Sequence, residues 1–282
     1  MKHSLGRRAT PRPFLKWAGG KGQLLPDLLE RVRAAQPFQR YHEPFVGGGA
    51  LFFDLYRRRM LGRKQAFLSD SSPHLIETYC GVRDDVETVI SLLEQHEAQH
   101  SEDYYYQVRA DVPSDPIARA ARIIYLNKTC YNGLFRVNTK GAFNVPFGRY
   151  KNPMICDADN LRAVAEALRK PKVELRHFES VLDRAKPGDL VYFDPPYDPV
   201  SETASFSAYD KAGFGHDSQY RLSIVFAELA RRAVHVLLSN SYTDRVLSLY
   251  EGFTIDEVKA NRAVNSRGDR RGKVSEALVR SF

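Results

Sequence analysis

Apolar residues recur along this chain in two rhythms. Short runs rich in apolar residues read as buried strands: Tyr41 to Val46, Ala66 to Ser69, Val173 to Phe178, Leu190 to Phe193, Val234 to Leu238, Phe253 to Val258 and Ser275 to Phe282. Between them stand stretches with helical spacing: Leu24 to Val32, the pattern Leu51, Phe52, Leu55 and Tyr56, then Ala158 to Leu168, Val181 to Ala185, Arg221 to Arg231 and Thr243 to Tyr250. Strand alternating with helix predicts an α/β sheet. From Leu75 to about Arg122 the alternation stops, and Val86, Val89, Ile90, Leu93, Ile117, Ala121 and Ile124 keep the helical period up to Asn127. That segment reads as a helical insertion after the second strand. Its consecutive tyrosines, Tyr104 to Tyr106, read as packing rather than recognition.

Lys128 to Lys151 differs from both. Val137 to Val145 reads as a β-hairpin turning at Thr139 to Gly141. Lys128, Arg136, Lys140, Arg149 and Lys151 interleave there with aromatics and amides on a short protruding element. Lysine and arginine meet phosphates, arginine reads guanine edges, and an aromatic ring can wedge into a base stack. A solvated hairpin has no need of so many aromatics, so the pattern favours nucleic-acid contact.

Composition sharpens this only slightly. The chain has 282 residues, room for one large α/β domain with an insertion, and a net charge of +8 that suits a polyanionic partner. Cys80, Cys130 and Cys156 are odd in number and lack metal-ligand spacing, which points to a reducing compartment. No apolar run approaches a membrane span, and the basic start, Met1 to Arg12, lacks an apolar signal core. A cytoplasmic protein is expected, without a membrane association and without a metal.

Three stretches carry candidate chemistry. The first predicted strand runs into Gly47-Gly48-Gly49 and a helix, the start of a nucleotide-binding unit, although Phe52 replaces the last glycine of the dinucleotide fingerprint. Asp70, at the next strand's end and about twenty residues on, can accept hydrogen bonds from ribose hydroxyls; its competing reading is an N-cap. Gly19-Gly20-Lys21 fails as a phosphate loop, because Leu15 and Gly22 stand where glycine and Ser/Thr are required. Finally, Leu190 to Phe193 ends in Asp194-Pro195-Pro196-Tyr197, a strand stopped by a rigid corner that fixes a carboxylate and a phenol. The loop Ser201 to Gly215, long for a connection and holding Phe206, Tyr209 and Phe214, reads as a substrate-facing lid.

Together these segments resemble the Dam family of DNA adenine methyltransferases. The matching stretches are FLKWAGGK from Phe14, EPFVGGGALF from Glu43, YNGLFR and GAFNVPFGRYK between Tyr131 and Lys151, VYFDPPYDP from Val191 and SETASFSAY from Ser201, in the family's order. The resemblance implies a Rossmann-like, S-adenosylmethionine-dependent methyltransferase sheet, with residues 1–72 and 158–282 as catalytic domain. Residues 73–157 would form the inserted helical DNA-recognition domain with its hairpin. It implies S-adenosylmethionine as cofactor, held by Trp17, Ala18, Gly19, Lys21, Phe45, Gly47, Gly49, Asp70, Phe178 and Asp194. Double-stranded DNA, with GATC the family's usual target, would meet Lys16, Tyr131, Asn132, Leu134, Arg136, Asn138, Pro146 and Arg149. Catalysis would rest on Asp194, Pro195 and Tyr197, in a monomer with no obligate protein partner. Ser72, Lys128, Thr129 and Ala142 depart from the family's residues, which bears on sequence preference and not on the chemistry.

An adenine amine is hidden in a duplex, so the base has to be flipped out. Tyr197 would stack on it, while Asp194 and the Pro195 carbonyl accept its two amine hydrogens and turn the nitrogen lone pair towards the sulfonium methyl. Two rival readings exist. One is the same chemistry at another DNA sequence or on an RNA or cytosine amine; the other is a non-catalytic DNA-binding module.

Overall fold

In the computed structural model, residues 9–17, 19–199, 214–261 and 273–282 are described. In chain order their elements are α1 (Leu25–Ala34), β1 (Tyr41–Glu43), α2 (Ala50–Arg57), β2 (Ala66–Asp70), α3 (Pro73–Asp84), α4 (Val86–Ala98), α5 (Glu102–Ala110) and α6 (Pro116–Thr129). There follow a 3-10 turn (Tyr131–Gly133), α7 (Ala158–Leu168), β3 (Lys172–Leu175), a second 3-10 segment (Phe178–Asp183) and β4 (Leu190–Phe193). The chain closes with α8 (His216–Arg231), β5 (His235–Ser241), α9 (Asp244–Leu249), β6 (Thr254–Asn261) and β7 (Lys273–Arg280). The elements group into two units. One comprises residues 1–20, 47–60 and 72–175; the other, 21–46, 61–71 and 176–282.

The second unit is built on strands in the order β2-β1-β4-β5-β7-β6. β1 pairs in parallel with both β2 and β4, and β4 with β5, while β7 runs antiparallel between β5 and β6. Every residue of β4 is buried, as a doubly covered parallel strand requires. Leu222, Val225, Phe226 and Leu229 of α8 pack with Val191, Phe193, Val236 and Leu238 in one apolar core. The strand order reverses between β1 and β4. In open α/β sheets a ligand crevice lies at such a point, beyond the strands' carboxyl ends. β1 and β4 end there, at Glu43 and Phe193, followed by Pro44 and by Asp194. This is the mixed, Rossmann-like α/β sheet expected from the sequence.

The other unit holds β3 and six helices, α2 to α7. The predicted helical run from Leu75 resolves into four of them, each started by an identifiable residue. Ser72, not Asp70, caps α3 by accepting from Leu75 N, and Asp85, Ser101 and Asp115 do the same for α4, α5 and α6. Pro73 and Pro116 occupy first helical positions, where a missing N–H costs nothing. α6 is buried along most of its length, from Ala120 to Asn127, and packs against α3 and α4. Of the tyrosine triplet, Tyr105 is fully buried and Tyr106 borders on exposed, so the triplet packs mainly through its middle ring.

Several strand boundaries differ from the sequence expectation: β3 ends at Leu175 rather than Phe178, β6 runs on to Asn261, and β7 spans Lys273–Arg280 rather than Ser275 to Phe282. β1 ends at Glu43 rather than Val46, because Pro44 cannot donate to a ladder. β5 runs on through Ser239, Asn240 and Ser241, which pair with Leu278, Ala277 and Glu276 of β7. Polar residues are admitted to this buried strand because their side chains are hydrogen-bonded (below).

Candidate active site and nucleic-acid interface

The rigid corner after β4 is assembled within the sheet unit. Lys21 Nζ lies 2.8 Å from Asp194 Oδ1 and 4.4 Å from the centroid of the Tyr197 ring, so one buried ammonium touches both the acid and the phenol ring. Ser239 Oγ donates to the same Asp194 oxygen at 2.9 Å and is itself 2.9 Å from the Tyr192 hydroxyl. Burial raises the pKa of Asp194, whereas Lys21 and the Ser239 hydrogen bond oppose that rise. Burial likewise drives the phenols of Tyr192 and Tyr197 up, so both stay protonated at neutral pH. The Tyr197 hydroxyl donates to Glu276 Oε2 at 2.7 Å.

The corner's backbone is held from three sides. Gln219 Nε2 donates to the Pro196 carbonyl at 2.8 Å, and Gln219 Oε1 accepts from Asn240 Nδ2 at 3.0 Å. Asn240 Oδ1 accepts from Asp198 N at 2.9 Å, and Ser241 Oγ donates to the Asp198 carbonyl. The buried carboxylate of Asp198 accepts from Thr243 and from Arg245. Two prolines with fixed φ and this ring of side chains leave the corner little freedom.

Phe45 and Phe178, expected together in a cofactor pocket, stack on each other with centroids 5.4 Å apart, and Phe214 meets both rings edge-on. Phe178 itself is 2% exposed and belongs to the apolar core. Asp70 ends β2, and its carbonyl accepts from Arg176 N at 3.1 Å.

The remaining candidates lie in the helical unit. Gly47, at φ 46°, accepts from the Tyr79 hydroxyl at 3.0 Å, and a Cβ there would stand 2.9 Å from the Trp17 ring. Gly49, at φ 68°, caps α2, and a Cβ would meet the Tyr79 hydroxyl at 2.7 Å. The glycines are therefore required by a left-handed backbone and by close neighbours. Gly19 also has a positive φ, 80°. Trp17 stacks on Phe135 at 5.1 Å. Ala18 and most of the loop from Ser201 to Gly215 lie outside the described residues.

The YNGLFR segment is a tight turn with Asn132 at φ 55° and a hairpin bridged between Val137 and Phe143. Tyr131 and Leu134 are exposed, as are Asn132, Arg136, Asn138, Pro146 and Arg149. Arg136 folds back on Asn144, donating to its Oδ1 at 2.7 Å and its carbonyl at 3.2 Å. Asn138 Oδ1 accepts from Lys140 N and Ala142 N, so its carbonyl shapes the hairpin turn. Asn127, fully buried, ties the segment together: Nδ2 donates to Lys16 O at 2.8 Å and Gly133 O at 3.1 Å, and Oδ1 accepts from Lys16 N at 2.7 Å. The Lys16 ammonium lies 4.3 Å from the centroid of the Tyr150 ring.

A half-buried acid and phenol, both touched by one buried ammonium, stand at the carboxyl end of a central parallel strand, beside the switch point of an α/β sheet. A family profile for the D12 class N6 adenine-specific DNA methyltransferases matches residues 17–264, and the chain belongs to that family. It is 42% identical to the type II methyltransferase M.MjaIII of Methanocaldococcus jannaschii, with 96% of this chain and 99% of that protein covered. It is 39% identical to the type II methyltransferase M1.LlaDCHI of Lactococcus lactis subsp. cremoris (96% and 95% covered), and 35% identical to the DNA adenine methylase of Escherichia coli K12 (95% and 94% covered). The chain is thus an adenine-specific DNA methyltransferase by family. No helix among the described residues is long and apolar enough to cross a membrane, and no group of three or more potential metal-ligating side chains occurs among them.

Proposed function

We propose that this enzyme transfers a methyl group from S-adenosylmethionine to the N6 amine of an adenine flipped out of duplex DNA, within the sequence GATC. The observation that carries the reading is the Lys21–Asp194–Tyr197 cluster after β4. The described donors to Asp194, Lys21 and Ser239, converge on Oδ1. Oδ2 is then the oxygen to accept one amine hydrogen, with the Pro195 carbonyl taking the other and Tyr197 stacking on the ring. Both acceptors draw the nitrogen lone pair out of conjugation, and the gain comes chiefly from positioning. Burial raises the pKa of Asp194 against the opposition of Lys21 and Ser239, which suits it to accept the proton that the methylated amine sheds.

Bound S-adenosylmethionine would supply an electrophilic methyl on sulfonium. The donor set fits it: Asp70 and Asp194 offer carboxylates at strand ends, Phe45, backed by the buried Phe178, an aromatic surface, and Gly47 and Gly49 have no room for a side chain. Trp17, Ala18, Gly19 and Lys21 complete the proposed set. For DNA, Lys16 and Arg149 would meet phosphates, Tyr131 would wedge into the stack, and Arg136 would leave Asn144 to read a guanine. Asn132, Leu134, Asn138 and Pro146 would line the same surface. In this reading residues 1–72 with 158–282 are the catalytic domain, residues 73–157 recognise DNA, and the enzyme works as a cytoplasmic monomer. GATC rests on the resemblance to Dam; the type II relatives make other sequences the competing outcome.

Expression in cells devoid of adenine methylation, followed by modification-sensitive sequencing of their genome, tests the whole reading. Methylated GATC is the expected result. Methylation at a different motif overturns the sequence assignment and keeps the chemistry, and an unmodified genome overturns both. Asp194→Ala is expected to remove methylation while the protein still folds and binds duplex DNA.

A further inference from the structure

Glu276 lies in β7, far along the chain from the corner, and no catalytic motif includes it. Its register is fixed on both sides, opposite Ser241 of β5 and Val258 of β6. From there its Oε2 accepts from the Tyr197 hydroxyl at 2.7 Å. A tyrosine ring has two rotatable bonds, and the corner's prolines and the Gln219 and Asn240 hydrogen bonds fix only its backbone. Lys21 covers one ring face at 4.4 Å, and the phenol oxygen, which Ser239 also meets, is a second handle. Holding that oxygen fixes the direction of the ring axis, while the ammonium over one face sets the ring plane.

We propose that Glu276 is a positioning residue for methyl transfer, anchoring the Tyr197 hydroxyl so that the ring face away from Lys21 is set for the flipped adenine. The assignment rests on the adenine-methylation reading and adds a residue and a direction of stacking to it. Burial raises the pKa of Glu276, and the phenol hydrogen bond and Lys21 hold it back. Toward Tyr197 its side chain acts through an acceptor oxygen, a role that the carbonyl of glutamine can also fill.

The test compares wild type with Glu276→Ala, Glu276→Gln, Tyr197→Phe and the Glu276→Ala/Tyr197→Phe double variant, on plasmid DNA from cells lacking adenine methylation. Single-turnover methyl transfer, S-adenosylmethionine Kd by calorimetry and the melting temperature are measured for each. Glu276→Ala and Tyr197→Phe should each slow the chemical step about tenfold, the worth of one charge-assisted hydrogen bond. The double variant should be no slower than either single, and Glu276→Gln should recover most of the rate. Cofactor Kd should stay within about twofold of wild type throughout, since the lost bond lies on the base side. An unchanged rate in Glu276→Ala, additive losses in the double variant, or equal loss of rate and cofactor binding would each overturn the assignment alone. Wild-type protein that methylates no DNA would instead overturn the parent reading, and this one with it.

Discussion

Asn127→Ala offers the sharpest measure of how the helical unit holds its exposed turn from Tyr131 to Leu134. The carboxamide is fully buried and makes three hydrogen bonds to the backbone of Lys16 and Gly133. Alanine removes all three and adds a small void, so every contribution has the same sign. The Gly133 carbonyl, in a buried bond, is left unsatisfied at a cost of about 1–3 kcal/mol, and the two partly buried Lys16 groups lose about 0.5–1.5 kcal/mol each. The expected destabilisation is therefore about 2–6 kcal/mol. Trp17, the sole tryptophan, lies in the same unit and stacks on Phe135, so its fluorescence reports on this part of the chain during urea unfolding. At ordinary slopes the midpoint should fall by roughly 1 M urea or more. Affinity for duplex DNA should weaken more than affinity for S-adenosylmethionine. A midpoint shift below about 0.3 M would refute the reasoning, because the three bonds would then be replaceable by water.

Three further outcomes rest on other features. Lys21→Met removes the charge that restrains the pKa of Asp194, so burial acts with less opposition and the acid limb of the pH–rate profile should move to higher pH; a limb that stays put would show that Lys21 does not govern Asp194. His96 is lowered from 6.5 to about 4, first by burial and then by Arg122, so between those values the unfolded chain binds the extra proton and stability falls as pH drops. Melting temperature should decline from pH 6.5 towards 4, and His96→Phe should flatten that slope, with the also-lowered His100 leaving a remainder; parallel slopes would assign the acid sensitivity elsewhere. Gly49→Ala should destabilise by at least about 1–2 kcal/mol from its left-handed backbone alone, with the Tyr79 hydroxyl crowding the new methyl, and a neutral thermal shift would contradict that.

What was legible in the sequence was whatever is local. The β4 run and its corner, the glycine turn at a positive φ and the helical insertion all declare themselves within a few residues. Ser72 took the capping role weighed for Asp70, because its hydroxyl sits one residue before the proline that starts α3. Glu276, Gln219 and Asn127 stayed hidden for a different reason. They act across separations of 79, 23 and 111 residues, and a polar side chain in a strand or helix looks solvated until the tertiary fold buries it. Ser239 and Asn240 stood in view at the end of an apolar run. Their purpose became visible only once Asp194 and Asp198 were found beside them.

Asp198 gives the corner a property of its own. Fastened by Asn240, Ser241, Thr243 and Arg245, it anchors the chain two residues before Val200, where the long connection to α8 begins. Strain arriving from that connection meets a fixed post before it reaches Tyr197. The corner's own geometry is therefore held by β5, Thr243 and α9 rather than by the chain that follows it.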